Sequence, residues 1–195
     1  MKKNKVLYAL IILTMLISIN NISYGQVLDI EKYWGKKDIV YLMEKGVMEG
    51  YSDGTFKPDK DITRAEFLKM VNNLFGFAEE ADIEFSDVRE DSWFYEDVKK
   101  AVASGYIEGY EDGTMRPNRP ITREEASKII AIASKLDDET LELSPSFKDV
   151  DKIGSWAMEY VSIMEYKGYI NGYEDGTYRP KGKITRGETA KILSS

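Results

Sequence analysis

Apolar positions along this chain recur at helical spacing in short blocks, and each block ends at a glycine or a proline. Trp93, Val98, Ala101 and Val102 fit one helical stripe, and Gly105 suits the left-handed position that closes a helix. Ser86 or Asp87 is placed to start that helix. Asp112-Gly113 is a turn dipeptide, and Pro117 stops a premature helix. Thr122 then opens a second stripe of Ala126, Ile129, Ile130 and Ala133. Phe67, Leu68, Val71, Leu74 and Phe75 form the same stripe upstream. The pattern predicts helix, tight loop, helix.

The unit occurs three times. "GYSDGTFKPDKDITRA" at 50–65 returns as "GYEDGTMRPNRPITRE" at 109–124 and "GYEDGTYRPKGKITRG" at 172–187, without insertion or deletion. Trp34, Trp93 and Trp156 each precede a glycine by twelve residues, and the periods are 59 and 63 residues. One such unit cannot bury its apolar stripes alone, whereas three can close on one another. The expected fold is therefore mainly α: three helix-loop-helix repeats packed as a pseudo-threefold module. The repeats cover residues 26–83, 84–145 and 146–195, with connectors at 76–84 and 134–146. The third is short, because its second helix stops ten residues past Thr185, although Ala190, Ile192 and Leu193 still fit a core face.

Thr63 with Glu66, Thr122 with Glu125 and Thr185 with Glu188 read as capping boxes. Capping leaves Arg64, Arg123 and Arg186 unexplained, since a cation at the first helical position meets the positive end of the helix dipole. Two explanations stand. Each arginine pairs with its turn aspartate (Asp53, Asp112 or Asp175), or guanidinium and free helix amides together form a site for an external anion. The tryptophans are equally ambiguous: core anchors, or, if exposed beside the arginine, stacking faces for a sugar. Tyr51, Tyr110 and Tyr173 share the second possibility.

Composition narrows the chemistry. Lys2, Lys3 and Lys5 precede an apolar run from Val6 to Ile19, and Ser23-Tyr24-Gly25 offers small residues at a cleavage site, so 1–25 reads as a secretory signal peptide. Broken only by Thr14 and Ser18, this fourteen-residue run spans about 21 Å as a helix, against a hydrocarbon core of about 30 Å. An uncleaved membrane anchor is the rival reading. Cleavage removes three positive charges and moves the formal charge from −7 to −10. That balance argues against nucleic acid or an anionic membrane as the main partner. Without cysteine or histidine, disulfides, thiolate zinc sites and imidazole-based catalysis are excluded. Glycoside hydrolysis by paired carboxylates is the main enzymatic chemistry left. The "YEDGT" loop lacks the carboxylate ladder of a calcium-binding EF-hand. No metal or cofactor is expected.

The Gly-Tyr loop, the Ile-Thr-Arg motif, the Trp-to-Gly spacing and "FSDV" and "FKDV" at 85–88 and 147–150 resemble surface-layer homology repeats. The resemblance implies a three-pronged pseudo-trimer that binds secondary cell-wall polysaccharide of Gram-positive bacteria without a covalent bond. The implied ligand is an acidic, pyruvate-ketal-bearing amino sugar in grooves between repeats, met by Arg64, Arg123 and Arg186 with Trp34, Trp93 and Trp156 as groove neighbours. The resemblance thus places the protein outside the cell, at the wall or surface layer, as a non-catalytic anchor with an unidentified protein partner open to it. An enzyme acting on wall glycan and a membrane-tethered structural protein are the alternatives. The first copy keeps "TRAE" intact, so Arg64 is expected to matter most. Glu124 in "TREE" sets an extra carboxylate beside Arg123, and Gly187 in "TRGE" weakens the third helix by up to about 1 kcal/mol.

Overall fold

The structure, a computed structural model, describes residues 27–136 and 143–195. The expected leader at 1–25 and the connector segment 137–142 lie outside the described residues. In chain order the helices are α1 Lys36–Glu44, α2 Arg64–Phe75, α3 Tyr95–Ala103, α4 Arg123–Ala133, α5 Met158–Tyr166 and α6 Arg186–Leu193. Among the described residues there is no strand and no helix long and apolar enough to cross a membrane.

The second helix of each repeat starts where the capping box dictates. Thr63, Thr122 and Thr185 stand in extended conformation and accept the amide of Glu66, Glu125 or Glu188, whose carboxylate accepts the threonine amide in return. The first helices begin without a side-chain cap. In the second repeat, α3 starts at Tyr95 rather than near Ser86 or Asp87. The reason is that the Asp87 carboxylate accepts the amides of Met115 and Arg116 at 2.7 and 2.8 Å, pinning the loop instead of a helix. Gly105 closes the helix end with φ +76°.

Packing crosses the repeats. The second helix of each repeat lies against the first helix of the next, as α2 on α3 and α4 on α5, and α6 returns to α1. At the centre the backbones of Ile62, Ile121 and Ile184 form a closed ring: Ile62 donates to Ile184 at 3.1 Å, Ile184 to Ile121 at 3.2 Å and Ile121 to Ile62 at 3.1 Å. All three are buried. Isolated antiparallel bridges Asp61–Thr185, Thr63–Pro120 and Thr122–Lys183 flank the ring. Ala126, Ile129, Ile130 and Ala133 are buried as their spacing predicts. In α2 the stripe is buried through Val71, but Phe75 comes to the surface and stacks on Phe77 with ring centroids 5.6 Å apart. α6 has eight residues against twelve in α2 and eleven in α4. It still buries Ala190 and Leu193, and Ser194 donates to Asp38 of the first repeat at 2.8 Å.

Gly187 has a reason that helix propensity misses. A methyl group there would overlap the hydroxyl end of Tyr33. Glu124 is corrected as well. It is buried, accepts the Gly154 amide at 3.0 Å and pairs with Lys181, so its charge is held by the third repeat. Gly187→Ala, favourable for an isolated helix, is expected to destabilise the module by about 1–3 kcal/mol through overpacking against Tyr33. Urea denaturation measures it, and a gain in stability refutes this account of the interface.

Candidate inter-repeat binding grooves

Each motif arginine leaves its own repeat. Arg64 Nε donates to the Met115 carbonyl at 3.1 Å, Arg123 Nε to Tyr178 at 2.8 Å and Arg186 Nε to Phe56 at 2.9 Å. Every acceptor sits in the loop of the next repeat round the ring. Arg64 Nη1 lies 3.7 Å from Glu125 and Arg123 Nη1 3.4 Å from Glu188, so the capping glutamate of one repeat faces the arginine of the previous one. Arg186 donates further to the Glu49 carbonyl at 2.7 Å. All three side chains are buried. Burial pulls the guanidinium pKa of Arg64 and Arg186 down, against the attraction of a neighbouring tyrosine and acids. A guanidinium nevertheless stays charged in proteins.

Neither sequence explanation of the arginines holds in its local form. Asp53, Asp112 and Asp175 pair with Lys57, Arg116 and Arg179 at 2.7–2.8 Å and bond the threonine two residues on. The helix amides are also taken. Those of Arg64, Arg123 and Arg186 donate to the Arg119, Gly182 and Lys60 carbonyls, and the next amides donate to Pro117, Pro180 and Pro58. The neighbouring loop, not an external anion, satisfies each helix start.

Lys57, Arg116 and Arg179 have φ of 53–57°, a left-handed conformation that is unfavourable for a side-chain-bearing residue. Asp29, Asp87 and Asp149 hold this turn by accepting its two amides at 2.6–3.2 Å. The clamp directs the preceding carbonyl, the one the arginine uses. Sequence reasoning missed these aspartates as loop clamps, although the repeated Asp-Val of "FSDV" and "FKDV" carries the signal.

The tyrosines are half-buried among cations. Tyr110 has Arg64 at 4.9 Å and Arg116 at 4.0 Å from its ring centroid; Tyr173 has Arg123 at 4.8 Å and Arg179 at 3.9 Å; Tyr51 has Arg186 at 4.8 Å and Lys57 at 4.3 Å. Tyr110 and Tyr173 donate their hydroxyls to Glu125 at 2.7 Å and Glu188 at 3.0 Å.

The tryptophans are not core anchors. Trp34, Trp93 and Trp156 are 62%, 59% and 46% exposed. They precede the first helices, and in two observed grooves they face an arginine from another repeat. One cavity of about 670 Å³ is lined by Arg64 of the first repeat, Tyr110, Glu125 and Lys128 of the second, and Trp156 of the third. A smaller one of about 170 Å³ holds Arg186, Glu66, Lys69 and Trp93 in the equivalent cyclic order. Each is therefore assembled from three repeats. Lys69, Lys128 and Lys191 all stand six residues after the motif threonine. That spacing is legible in the sequence.

The carboxylate in the larger groove is suited to holding cations rather than delivering a proton. Burial pushes Glu125 up, but the Thr122 amide, the Tyr110 hydroxyl and Arg64 outweigh it and leave its pKa below the ordinary value. A glycosidase acid needs the opposite shift.

The S-layer homology domain matches at residues 28–68, 84–127 and 146–190. This chain belongs to the S-layer homology family. Among relatives of this S-layer homology module, an exoglucanase XynX of Acetivibrio thermocellus is 38% identical over 85% of the chain and 16% of its own length. A surface-layer 125 kDa protein of Lysinibacillus sphaericus is 34% identical over 88% of the chain and 15% of its own. A cellulosome-anchoring protein of Acetivibrio thermocellus is 33% identical over 75% and 34%. The chain thus spans about a third of the length of these relatives, or less.

Arg64→Lys keeps the charge but loses the fork that reaches carbonyl and carboxylate together. It is expected to destabilise the module by about 1.5–3 kcal/mol in urea denaturation; an unchanged midpoint would show that the arginine does not hold the repeats together. Because Glu125 is held down, its contribution to stability is complete above the ordinary glutamate pKa of about 4.3 and is lost as pH falls through the lower folded value. Thermal melts of wild type and Glu125→Gln should differ most near neutrality and converge in acid, and a gap that widens in acid reverses the sign.

Proposed function

We propose that this S-layer homology module anchors non-covalently to cell-wall polysaccharide, with the inter-repeat grooves as its glycan sites. The observation that carries the reading is the meeting of an exposed Trp156, a buried Arg64 and the Tyr110 loop in one cavity, contributed by three repeats. An exposed indole offers a flat apolar face to a sugar ring, and an adjoining cation favours an acidic substituent. The preferred ligand is a wall polysaccharide carrying a pyruvate ketal. The same roles fall to Arg186 with Trp93 and Tyr51, and to Arg123 with Trp34 and Tyr173.

The grooves are not equivalent. Glu125 faces both Arg64 and Arg119, and Glu66 has Lys60 at 3.7 Å with Arg186 adding attraction. The matching position in the third repeat is Gly182, so Glu188 faces Arg123 without that second cation. Of the two grooves seen as cavities, that of Arg64 is the larger and has the more cations in its lining, which makes it the principal site of this proposal.

Relatives named as a surface-layer protein and a cellulosome-anchoring protein support attachment at the cell surface. The match to the exoglucanase covers 16% of that protein and carries the family rather than the catalysis. With a cleaved leader at 1–25, the protein is exported and held at the wall, where an extracellular protein partner is open to it.

Co-sedimentation with purified wall polysaccharide tests the proposal. Trp156→Ala is expected to weaken binding about tenfold with an unchanged melting temperature, since the side chain is exposed. Equal binding by wild type and variant removes the groove from the mechanism.

A further inference from the structure

We infer that Glu124 is a positioning residue of the principal groove: it tethers the segment that carries Trp156 and holds the indole where a sugar ring stacks. This inference rests on the glycan reading proposed above and names the residue that keeps its stacking face in place.

Glu124 is the second residue of α4, directly after Arg123, and it is 3% exposed. A carboxylate so deeply buried is costly unless its oxygens are paired and hydrogen-bonded. Both are spent on the third repeat. Oε1 pairs with Lys181, and Oε2 accepts the Gly154 amide at 3.0 Å. Neither serves the start of its own helix, which is capped by Glu125.

The two partners flank the tryptophan. Gly154 stands just before a short 3-10 turn, Ser155–Ala157, and its carbonyl accepts the Ala157 amide at 2.8 Å. Fixing Gly154 therefore fixes the turn from which the indole projects. The indole in turn lies against that glycine: a methyl group built on Gly154 would stand 2.6 Å from Trp156 Nε1. The Lys181 ammonium is 5.9 Å from the indole ring centre. One carboxylate thus holds a backbone point and a side chain beside the same ring. Trp156 is accordingly the least exposed of the three tryptophans, at 46% against 59% and 62%.

The same place on the helix meets the approach to a tryptophan in a second groove. Gly187 follows Arg186 as Glu124 follows Arg123, and Tyr33 packs against it, with its ring centroid 5.2 Å from that of Trp34. There an aromatic ring occupies the space next to the helix start. In the first repeat the position is Ala65, whose side chain has no polar atom to offer. The polar tether thus belongs to the groove of Trp156. An indole held in place before the sugar arrives loses less freedom on binding.

The test combines binding with fluorescence. Glu124→Ala removes the tether and leaves the side chain that α2 already accepts at this place. Glu124→Gln keeps an oxygen for the Gly154 amide, while Lys181, 61% exposed, can turn to water. Co-sedimentation with wall polysaccharide is expected to show Glu124→Ala about fivefold weaker than wild type and Glu124→Gln within about twofold of it. Adding Glu124→Ala to Trp156→Ala should cause no further loss, because the tether acts through the indole. In a chain that keeps Trp156 as its only tryptophan (Trp34→Phe, Trp93→Phe), Glu124→Ala should lower the fluorescence anisotropy of the indole and raise its quenching by acrylamide. Glu124→Gln should leave both unchanged. Wild-type binding and anisotropy in Glu124→Ala overturn the assignment and leave the glycan reading intact. A further loss in the Trp156→Ala background, or a loss in Glu124→Gln equal to that in Glu124→Ala, overturns it as well. No binding by wild type overturns the glycan reading and the tether's role in it, while the anisotropy still reports whether Glu124 holds the indole.

Discussion

Three backbone hydrogen bonds between Ile62, Ile121 and Ile184 close a ring at the centre of this protein, and every other inter-repeat feature depends on it. A single bond of this kind contributes about 1 kcal/mol. Its importance is geometric. The ring is cyclic, so no repeat is left with an unpaired edge, and each Ile-Thr-Arg segment is fixed in extended form just before a helix. That places the threonine at its cap and sets the next residue, the arginine, facing the neighbouring loop.

The arginine then resolves an apparent conflict. At a helix N-terminus its charge is unfavourable toward its own dipole. It is compensated across the interface by a loop carbonyl and, for Arg64 and Arg123, by a glutamate that caps the next helix. Capping and inter-repeat pairing are therefore one circuit, in which the same carboxylate serves the helix of its own repeat and the cation of another. Aspartates 29, 87 and 149 extend the circuit by holding the left-handed turn that aims the carbonyl. Because the interior is satisfied in this way, the indoles are left toward solvent at the grooves, apolar faces on a protein that is otherwise strongly acidic.

Departures from perfect repetition give each interface its own fit. Gly187 admits Tyr33, Glu124 takes Lys181 and the Gly154 amide, and Gly182 stands where the other loops carry Lys60 or Arg119. Residues that look like damage to a motif are adaptations to a particular neighbour. They also explain why the grooves differ in size and charge although their backbones are built to one plan.

Sequence alone determined the three repeats, the starts of the capped second helices and the loop turns, because capping boxes, Asp-Gly turns and closing glycines act within a few residues of themselves. It also pointed to the arginine, the tryptophan and the tyrosine of each copy as the residues that folding of one unit did not explain. The tertiary structure decided which repeat each of them serves. Arg64 meets Tyr110 rather than Tyr51, and Trp156 joins a cavity whose arginine lies 92 residues earlier in the chain. Whether Gly187 weakens a helix or admits a tyrosine was decided there too, as was whether a tryptophan anchors the core or faces water. Local hydrogen-bonding rules carry no information about partners brought together only by closure of a ring, and that closure is where the grooves come from.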